Sequence, residues 1–364
     1  MRSATVTVRT RRQAAEPANL SLADALARKI VGQQAALEAI IPYVQMYEAG
    51  LAAEGRPVGV FLLLGPTGTG KTRTVEALAE SLHGSERNML RIDCGEFQME
   101  HEVAKLIGAP PGYLGHRETQ PMLTQAKLNA TTSDRSCLSL VLFDEIEKAA
   151  PSLNRLLLGV LDKAILRLGD NTSVNFERSM IFLTSNLGAR GMANHLRPDF
   201  GFEGLMPRGP ANKTGDKLEK IAMEAVRKKF SPEFVNRIDA ILTYRPLAGG
   251  SLELILDQLI TQFQQHIDSR LGTRAFQVEV SARARQFLLA KGTSAEFGAR
   301  ELKRTLHRHL MQPVAAMVAE DSIEPAQRIT VGVQECGTRL EFQPAEQEAL
   351  PPSRGRVLAI DASE

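Results

Sequence analysis

The chain has 364 residues, 43% of them hydrophobic, with 44 basic and 42 acidic side chains and a formal net charge of only +2. That is enough apolar material for one large core and a smaller one, and the near-balance of charge argues against nucleic acid or an anionic membrane as the main partner. No apolar run approaches the ~20 residues that span a bilayer, the first residues lack the apolar stretch of a secretory signal, and Cys94, Cys137 and Cys336 are too widely spaced for a disulfide framework or a zinc site, which fits a reducing cytoplasm.

Residues 1–17 read as a disordered basic tail carrying Arg2, Arg9, Arg11 and Arg12, with an organelle-targeting segment as the alternative. An apolar-periodic segment opens at Ser21 and breaks at Val31-Gly32-Gln33, and a helix resumes through Ala36, Ile40 and Ile41. The run from Val60 to Leu64 is a buried strand that delivers the loop Gly65-Pro66-Thr67-Gly68-Thr69-Gly70-Lys71-Thr72 into the amphipathic helix of Thr74 to Ala79. This is the G-x-x-x-x-G-K-[ST] pattern of a nucleoside triphosphate site. Backbone N–H groups freed by the glycines wrap the β-phosphate, Lys71 reaches the β/γ oxygens, and the Thr72 hydroxyl ligates Mg²⁺ at the helix N-terminus.

A second apolar strand, Leu140 to Phe143, ends in Asp144-Glu145. Strands of a doubly covered parallel sheet read as continuous apolar runs and carry ligands at their carboxyl ends, so both acids should emerge beside the phosphate loop. Asp144 is expected to hold Mg²⁺, directly or through water, and Glu145 to orient and deprotonate the water that attacks the γ-phosphate. The alternative is a strand end that simply meets solvent.

Further strands are expected at Met89 to Ile92 and Ser179 to Leu183, in the alternation with helices that predicts a parallel α/β sheet. The glycine- and proline-rich stretch from Leu187 to Lys217 reads as a long surface loop with little regular structure. Beyond Gly250 the pattern becomes helical over Leu252 to Leu271, Ala282 to Lys291 and Arg300 to Ala319. A hairpin of Arg328 to Val333 with Thr338 to Phe342 follows, then a disordered tail over 344–364. The expected organisation is a large α/β domain over 18–246 and a smaller, mainly helical domain with a β-hairpin over 247–343.

Several further motifs occur in order: Ile30-Val31-Gly32-Gln33, the stretch Ile107 to Gly115, Leu183-Thr184-Ser185-Asn186, Phe230 to Asp239, and Gly298 to Arg304. With the phosphate loop and the acidic strand, they make the chain from Leu22 to Phe342 resemble one AAA+ module of the Clp protein unfoldases, nearest to the second ATPase ring of ClpB-type disaggregases. The resemblance implies a P-loop NTPase sheet sandwiched by helices, followed by a helical lid, with ATP and Mg²⁺ as cofactors. It implies that Val31 and Gly32 pack against adenine. Asn186, at a strand end, becomes the sensor that binds the lytic water or a γ-phosphate oxygen; without the family it reads as a turn former. Arg237 becomes an arginine finger presented to a neighbouring subunit, and Arg300 a second sensor that contacts γ-phosphate from the lid. The alternative for either arginine is a surface ion pair worth about 0 to 1 kcal/mol.

Tyr113 and Leu114 lie among Pro110, Pro111, Gly112 and Gly115, which prevent a helix or strand, so an aromatic and a leucine sit where loops are usually polar. In relatives this loop lines an axial channel and grips polypeptide; the alternative is that Tyr113 folds back on its own domain. Three departures qualify the resemblance. A second ring, an N-terminal substrate domain and a coiled-coil middle domain are absent from the sequence, which implies single-ring action. The stretch His116 to Pro121 replaces a Gly-Gly-containing segment. Phe200-Gly201-Phe202 only approximates the loop that docks protease-linked relatives to a ClpP-like peptidase. The implied function is an ATP-dependent unfoldase or disaggregase acting on unfolded or aggregated polypeptide as a hexameric homo-oligomer in the cytoplasm. The alternatives are an ATPase feeding a ClpP-like peptidase, and a nucleotide-gated scaffold or nucleic-acid remodelling ATPase.

Overall fold

The computed structural model describes residues 21–108, 121–196, 211–294, 298–335 and 337–344. In chain order the elements are α1 (Leu22–Lys29), α2 (Gln34–Glu48), β1 (Gly59–Leu64), α3 (Lys71–His83), β2 (Leu90–Asp93), α4 (Ala104–Ile107), α5 (Gln125–Asn129), β3 (Ser139–Asp144), α6 (Pro151–Lys163), β4 (Ile165–Arg167), β5 (Ser173–Asn175) and β6 (Ser179–Ser185). They continue through α7 (Ala189–Leu196), α8 (Ala211–Lys229), α9 (Pro232–Val235), β7 (Ala240–Thr243), α10 (Gly249–Leu271), β8 (Gln277–Val280), α11 (Ala282–Gly292), α12 (Ala299–Leu306), α13 (Gln312–Ala319), β9 (Arg328–Val333) and β10 (Leu340–Pro344). The described residues divide into two compact units, one reaching to Leu252 and including Ser294–Glu301, the other formed by Glu253–Thr293 and the chain from Leu302 onward.

The first unit is built on a five-stranded sheet in the order β2-β3-β6-β1-β7, every neighbouring pair parallel. Strands β1 and β6 are buried along their whole length, as continuous apolar runs require when helices cover both faces. The two-residue period of the strands sorts their side chains. Leu62, Leu64, Val141, Phe143, Ile181 and Leu183 pack on one side with residues of α6 and α8. Phe61, Leu63, Leu140, Leu142, Met180 and Phe182 pack on the other with residues of α1, α2 and α3. Each such side chain contributes about 1.5–3 kcal/mol by leaving water. Since all strands run the same way, the phosphate loop, Asp144, Asn186 and Tyr244 leave the sheet at one edge.

The segment from Leu187 to Lys217 departs from its reading as a loop. It contains α7 and the start of α8, while 197–210, with Phe200-Gly201-Phe202, lies outside the described residues. Two glycines counted as loop signals instead let these helices approach. A Cβ on Gly188 would lie 3.2 Å from the Ala222 backbone, and one on Gly191 would lie 2.8 Å from the Ile221 side chain. Met192, Leu218, Ala222 and Val226 are buried beneath the contact. The antiparallel pair β4–β5 was not expected at all.

In the second unit α11 packs with β9 of a three-stranded sheet in the order β10-β9-β8. The expected hairpin is present as β9–β10, with its second strand shifted to Leu340–Pro344, and β8 adds a parallel strand beside β9. The outer edge of β8 is covered by α10: Gln264 Nε2 donates to the Phe276 carbonyl at 2.8 Å, and its Oε1 accepts from the Val278 N–H at 2.9 Å.

At the C-terminal end of α3, His83 is nearly buried; its Nδ1 lies 3.0 Å from Ser133 Oγ and its Nε2 is buried without a hydrogen-bond partner. Burial lowers its pKa below the usual 6.5, and the Leu138 backbone opposes that only in part. The unfolded chain therefore binds the extra proton more readily, and stability falls as pH drops below about 6.5. Melting between pH 7.5 and 5.5 should show a decrease that is smaller in His83→Gln; an equal decrease in both would assign the acid sensitivity elsewhere.

Candidate functional site

The phosphate loop owes its course to glycine. Gly65, Gly68 and Gly70 have φ of +146°, +77° and +104°, a region side-chain-bearing residues rarely adopt. A Cβ on Gly65 would also stand 2.5 Å from the Tyr244 carbonyl oxygen. Gly70 begins α3, whose first residues are Lys71 and the half-exposed Thr72. Thr69 Oγ1 donates to the Pro66 carbonyl at 2.9 Å, closing the loop on itself.

Lys71 is 8% exposed, and its ammonium donates to the Gly65 carbonyl at 2.6 Å, the Pro66 carbonyl at 2.9 Å and Asn186 Oδ1 at 2.9 Å. Burial pushes its pKa down to about 8; nearby Glu147, Asp144 and Glu145 pull the other way, and Arg300 adds to the depression. A buried cation held by neutral oxygens fits a polyanion, and added phosphate charge would favour its protonated form.

The acidic strand arrives in register. Asp144 accepts from Arg91 Nη2 at 2.5 Å and from the Thr184 hydroxyl, whose oxygen in turn accepts the Glu145 N–H at 2.9 Å. Glu145 holds φ +57°, the left-handed region, at a turn that costs of order 1 kcal/mol and is typical of working sites. Its carboxylate pairs with Lys148 and accepts from Asn186 Nδ2 at 3.1 Å. The Asn186 amide thus points its oxygen at Lys71 and its nitrogen at Glu145, the one orientation that satisfies both. Its backbone N–H is held by Glu147 Oε1 at 3.0 Å. Cys94, buried behind these acids, has its thiol pKa raised by burial and then by the surrounding carboxylates, so it stays protonated.

The structure therefore brings together Gly65 to Lys71, Asp144, Glu145 and Asn186. Gly298 and Ala299 also reach the loop, the Ala299 N–H donating to the Gly68 carbonyl at 3.1 Å, which carries Arg300 close enough to influence Lys71. Gly32 has φ +76°, and a Cβ there would meet Ser251 Oγ at 2.9 Å. Arg237 stands apart from this group: Nη1 donates to the Glu233 carbonyl at 2.9 Å and Nε lies 3.5 Å from Asp162 Oδ1. Tyr113 and Leu114 lie outside the described residues. The sequence reading gave no role to Arg91 or Gln33, although the latter stands in the first of the ordered motifs.

A parallel sheet whose strand β1 feeds a glycine cradle, with a buried lysine and an acidic pair on the next strand but one, defines a phosphate-loop nucleotide-binding ATPase module. Residues 56–241 match the AAA domain (Cdc48 subfamily) and residues 251–331 match the C-terminal, D2-small domain of ClpB protein. The chain belongs to the AAA domain family, as a ClpB-type AAA+ module resembling the second domain of those proteins. It is 34% identical over 324 residues to the chaperone protein ClpB of Staphylococcus epidermidis, covering 89% of this chain and 34% of that one. With ClpB of Meiothermus ruber the figures are 37% over 325 residues, 89% and 35%. Among solved structures, a closed-state Hsp104 with ATPγS and FITC casein superposes with a TM-score of 0.72 at 26% identity, covering 89% of this chain and 51% of that one. An S. cerevisiae Hsp104–casein complex in an extended conformation gives a TM-score of 0.74 at 26% identity, covering 88% and 52%. The chain spans about a third of the length of the ClpB relatives it matches.

Proposed function

We propose that the chain is an ATP-driven protein unfoldase or disaggregase that works as a homo-oligomeric ring, hexameric by analogy with the Clp family, and threads unfolded polypeptide through its channel. The observation that carries this reading is the linked array Lys71–Asn186–Glu145, closed by hydrogen bonds at one edge of the sheet. In this reading the domains are an ATPase domain over 18–246 and a smaller domain over 247–343. Among the described residues no helix is long and apolar enough to cross a membrane, and with a net charge of +2 a polypeptide client in the cytoplasm is favoured over nucleic acid.

In this reading the N–H groups of Gly65 to Gly70 and the Lys71 ammonium hold the triphosphate, and the Val31-Gly32 turn takes the adenine. Thr72 and Asp144 would hold Mg²⁺, which would supply neutralisation of phosphate charge. Lys71 exchanges its carbonyl partners for phosphate oxygens. Glu145 gives up Lys148 or shares it, and takes a proton from water that Asn186 orients. Arg300 answers the γ-phosphate from the same protomer and Arg237 from the next. Tyr113, with Leu114, grips the client by apolar and stacking contacts that tolerate any sequence. The test is ATP-dependent unfolding of a tagged fluorescent protein, which Tyr113→Ala should abolish while hydrolysis continues. Hydrolysis by the parent chain with no unfolding of any client would instead favour a nucleotide-gated scaffold.

A further inference from the structure

We infer that Gln33 is a positioning residue that joins the turn assigned to the base to the phosphate loop, so that occupancy of one tightens the other. The inference rests on the nucleotide reading above and deepens it. Gln33 directly follows Val31-Gly32 and is 5% exposed. Its carboxamide is fully employed: Nε2 donates to the Arg245 carbonyl at 2.8 Å and to the Thr69 carbonyl at 3.1 Å, and Oε1 accepts the Arg245 N–H at 3.2 Å. One side chain therefore ties together three backbone stretches that are far apart in sequence.

Each tie falls where it affects binding. The Thr69 carbonyl and the Gly70 N–H belong to one planar peptide, so anchoring the oxygen fixes the direction of an N–H in the phosphate cradle. On the other side, Arg245 follows Tyr244, whose N–H donates to the Leu64 carbonyl at 2.6 Å and whose hydroxyl donates to Thr74 Oγ1 of α3 at 2.9 Å. The Tyr244 carbonyl oxygen backs Gly65 so closely that no Cβ fits. The Val31-Gly32 turn is braced in turn by Ser251 and Leu247 against Gly32. Motion of the turn that carries Gln33 thus pulls on the loop at Thr69 and on the strap that backs Gly65.

Gln33→Glu keeps the shape and the acceptor for Arg245 but sets a carboxylate against two carbonyl oxygens; Gln33→Met keeps the length and removes every hydrogen bond. Dissociation constants for ATP and for inorganic tripolyphosphate, which lacks the nucleoside, are measured at equal free Mg²⁺ in the parent and both variants, with melting of the nucleotide-free proteins to establish folding. ATP should weaken about tenfold or more and tripolyphosphate no more than about threefold, so that the advantage conferred by the nucleoside shrinks. KM for ATP should rise while kcat stays within about threefold. Equal weakening of both ligands, or unchanged ATP binding, would overturn the inference. Failure of the parent to bind either ligand would instead overturn the nucleotide reading itself. Hydrogen exchange on the parent chain needs no variant. Tripolyphosphate alone should slow exchange at Arg245 and across Val31 to Gln33, and unaltered exchange there would also overturn the coupling.

Discussion

Glu145→Gln is expected to leave ATP binding intact and to lower turnover by about 10²–10⁴-fold, the usual contribution of a positioned general base. The substitution is isosteric. The amide oxygen can still accept from Asn186 Nδ2 and the backbone N–H can still reach Thr184 Oγ1, so the strained turn and the Lys71–Asn186 contact persist. What disappears is the ion pair with Lys148 and the ability to take a proton from water. Binding of a fluorescent ATP analogue, set beside steady-state phosphate release, reads the two properties separately. Turnover within about tenfold of the parent would move the base elsewhere, and Glu147, whose Oε2 is buried without a partner, would be the next carboxylate to test.

Arg237→Ala is expected to have an effect of similar size on hydrolysis by the assembled protein, a loss of about 10³-fold or more, with little change in nucleotide affinity. The reason lies in its surroundings. Within its own chain Arg237 touches Asp162 and the Glu233 carbonyl and contacts none of the phosphate-loop residues, so removing it should not loosen that loop. If its guanidinium acts on a neighbour's phosphate, mixing Arg237→Ala chains with Glu145→Gln chains, each inactive alone, should restore partial turnover. Such mixed rings contain pairs in which an intact finger faces an intact base. No rescue, together with turnover of Arg237→Ala close to the parent's, would reduce this arginine to a surface ion pair worth about 0–1 kcal/mol.

What the sequence disclosed follows the range over which each feature is determined. The phosphate loop was legible because its glycines, lysine and threonine meet one local requirement, a left-handed backbone ahead of a helix. Asp144 and Glu145 were legible because an apolar run must stop where a parallel strand meets solvent. Asn186 needed the resemblance, since a strand-end asparagine carries no local mark of its bifunctional contact with Lys71 and Glu145. Gln33 escaped because its partners, Thr69 and Arg245, are near it only once the sheet has formed. The helices α7 and α8 were misread because Gly188 and Gly191 look identical in sequence whether they bend a chain or let two helices touch. Arg91 escaped because a charged residue inside a strand pattern looks solvated until the partner strand places Asp144 beside it.

The carboxamide of Gln264 has a consequence if, as proposed, the cargo is denatured chain. An unpaired strand border is a template on which any extended peptide can nucleate, and a protein that concentrates such peptides would be the first to be fouled by them. By satisfying the Phe276 carbonyl and the Val278 N–H from α10, one glutamine withdraws that border of the small sheet from exchange with passing strands. Under the proposed function, the module would thereby keep its own architecture out of the aggregation chemistry of its clients.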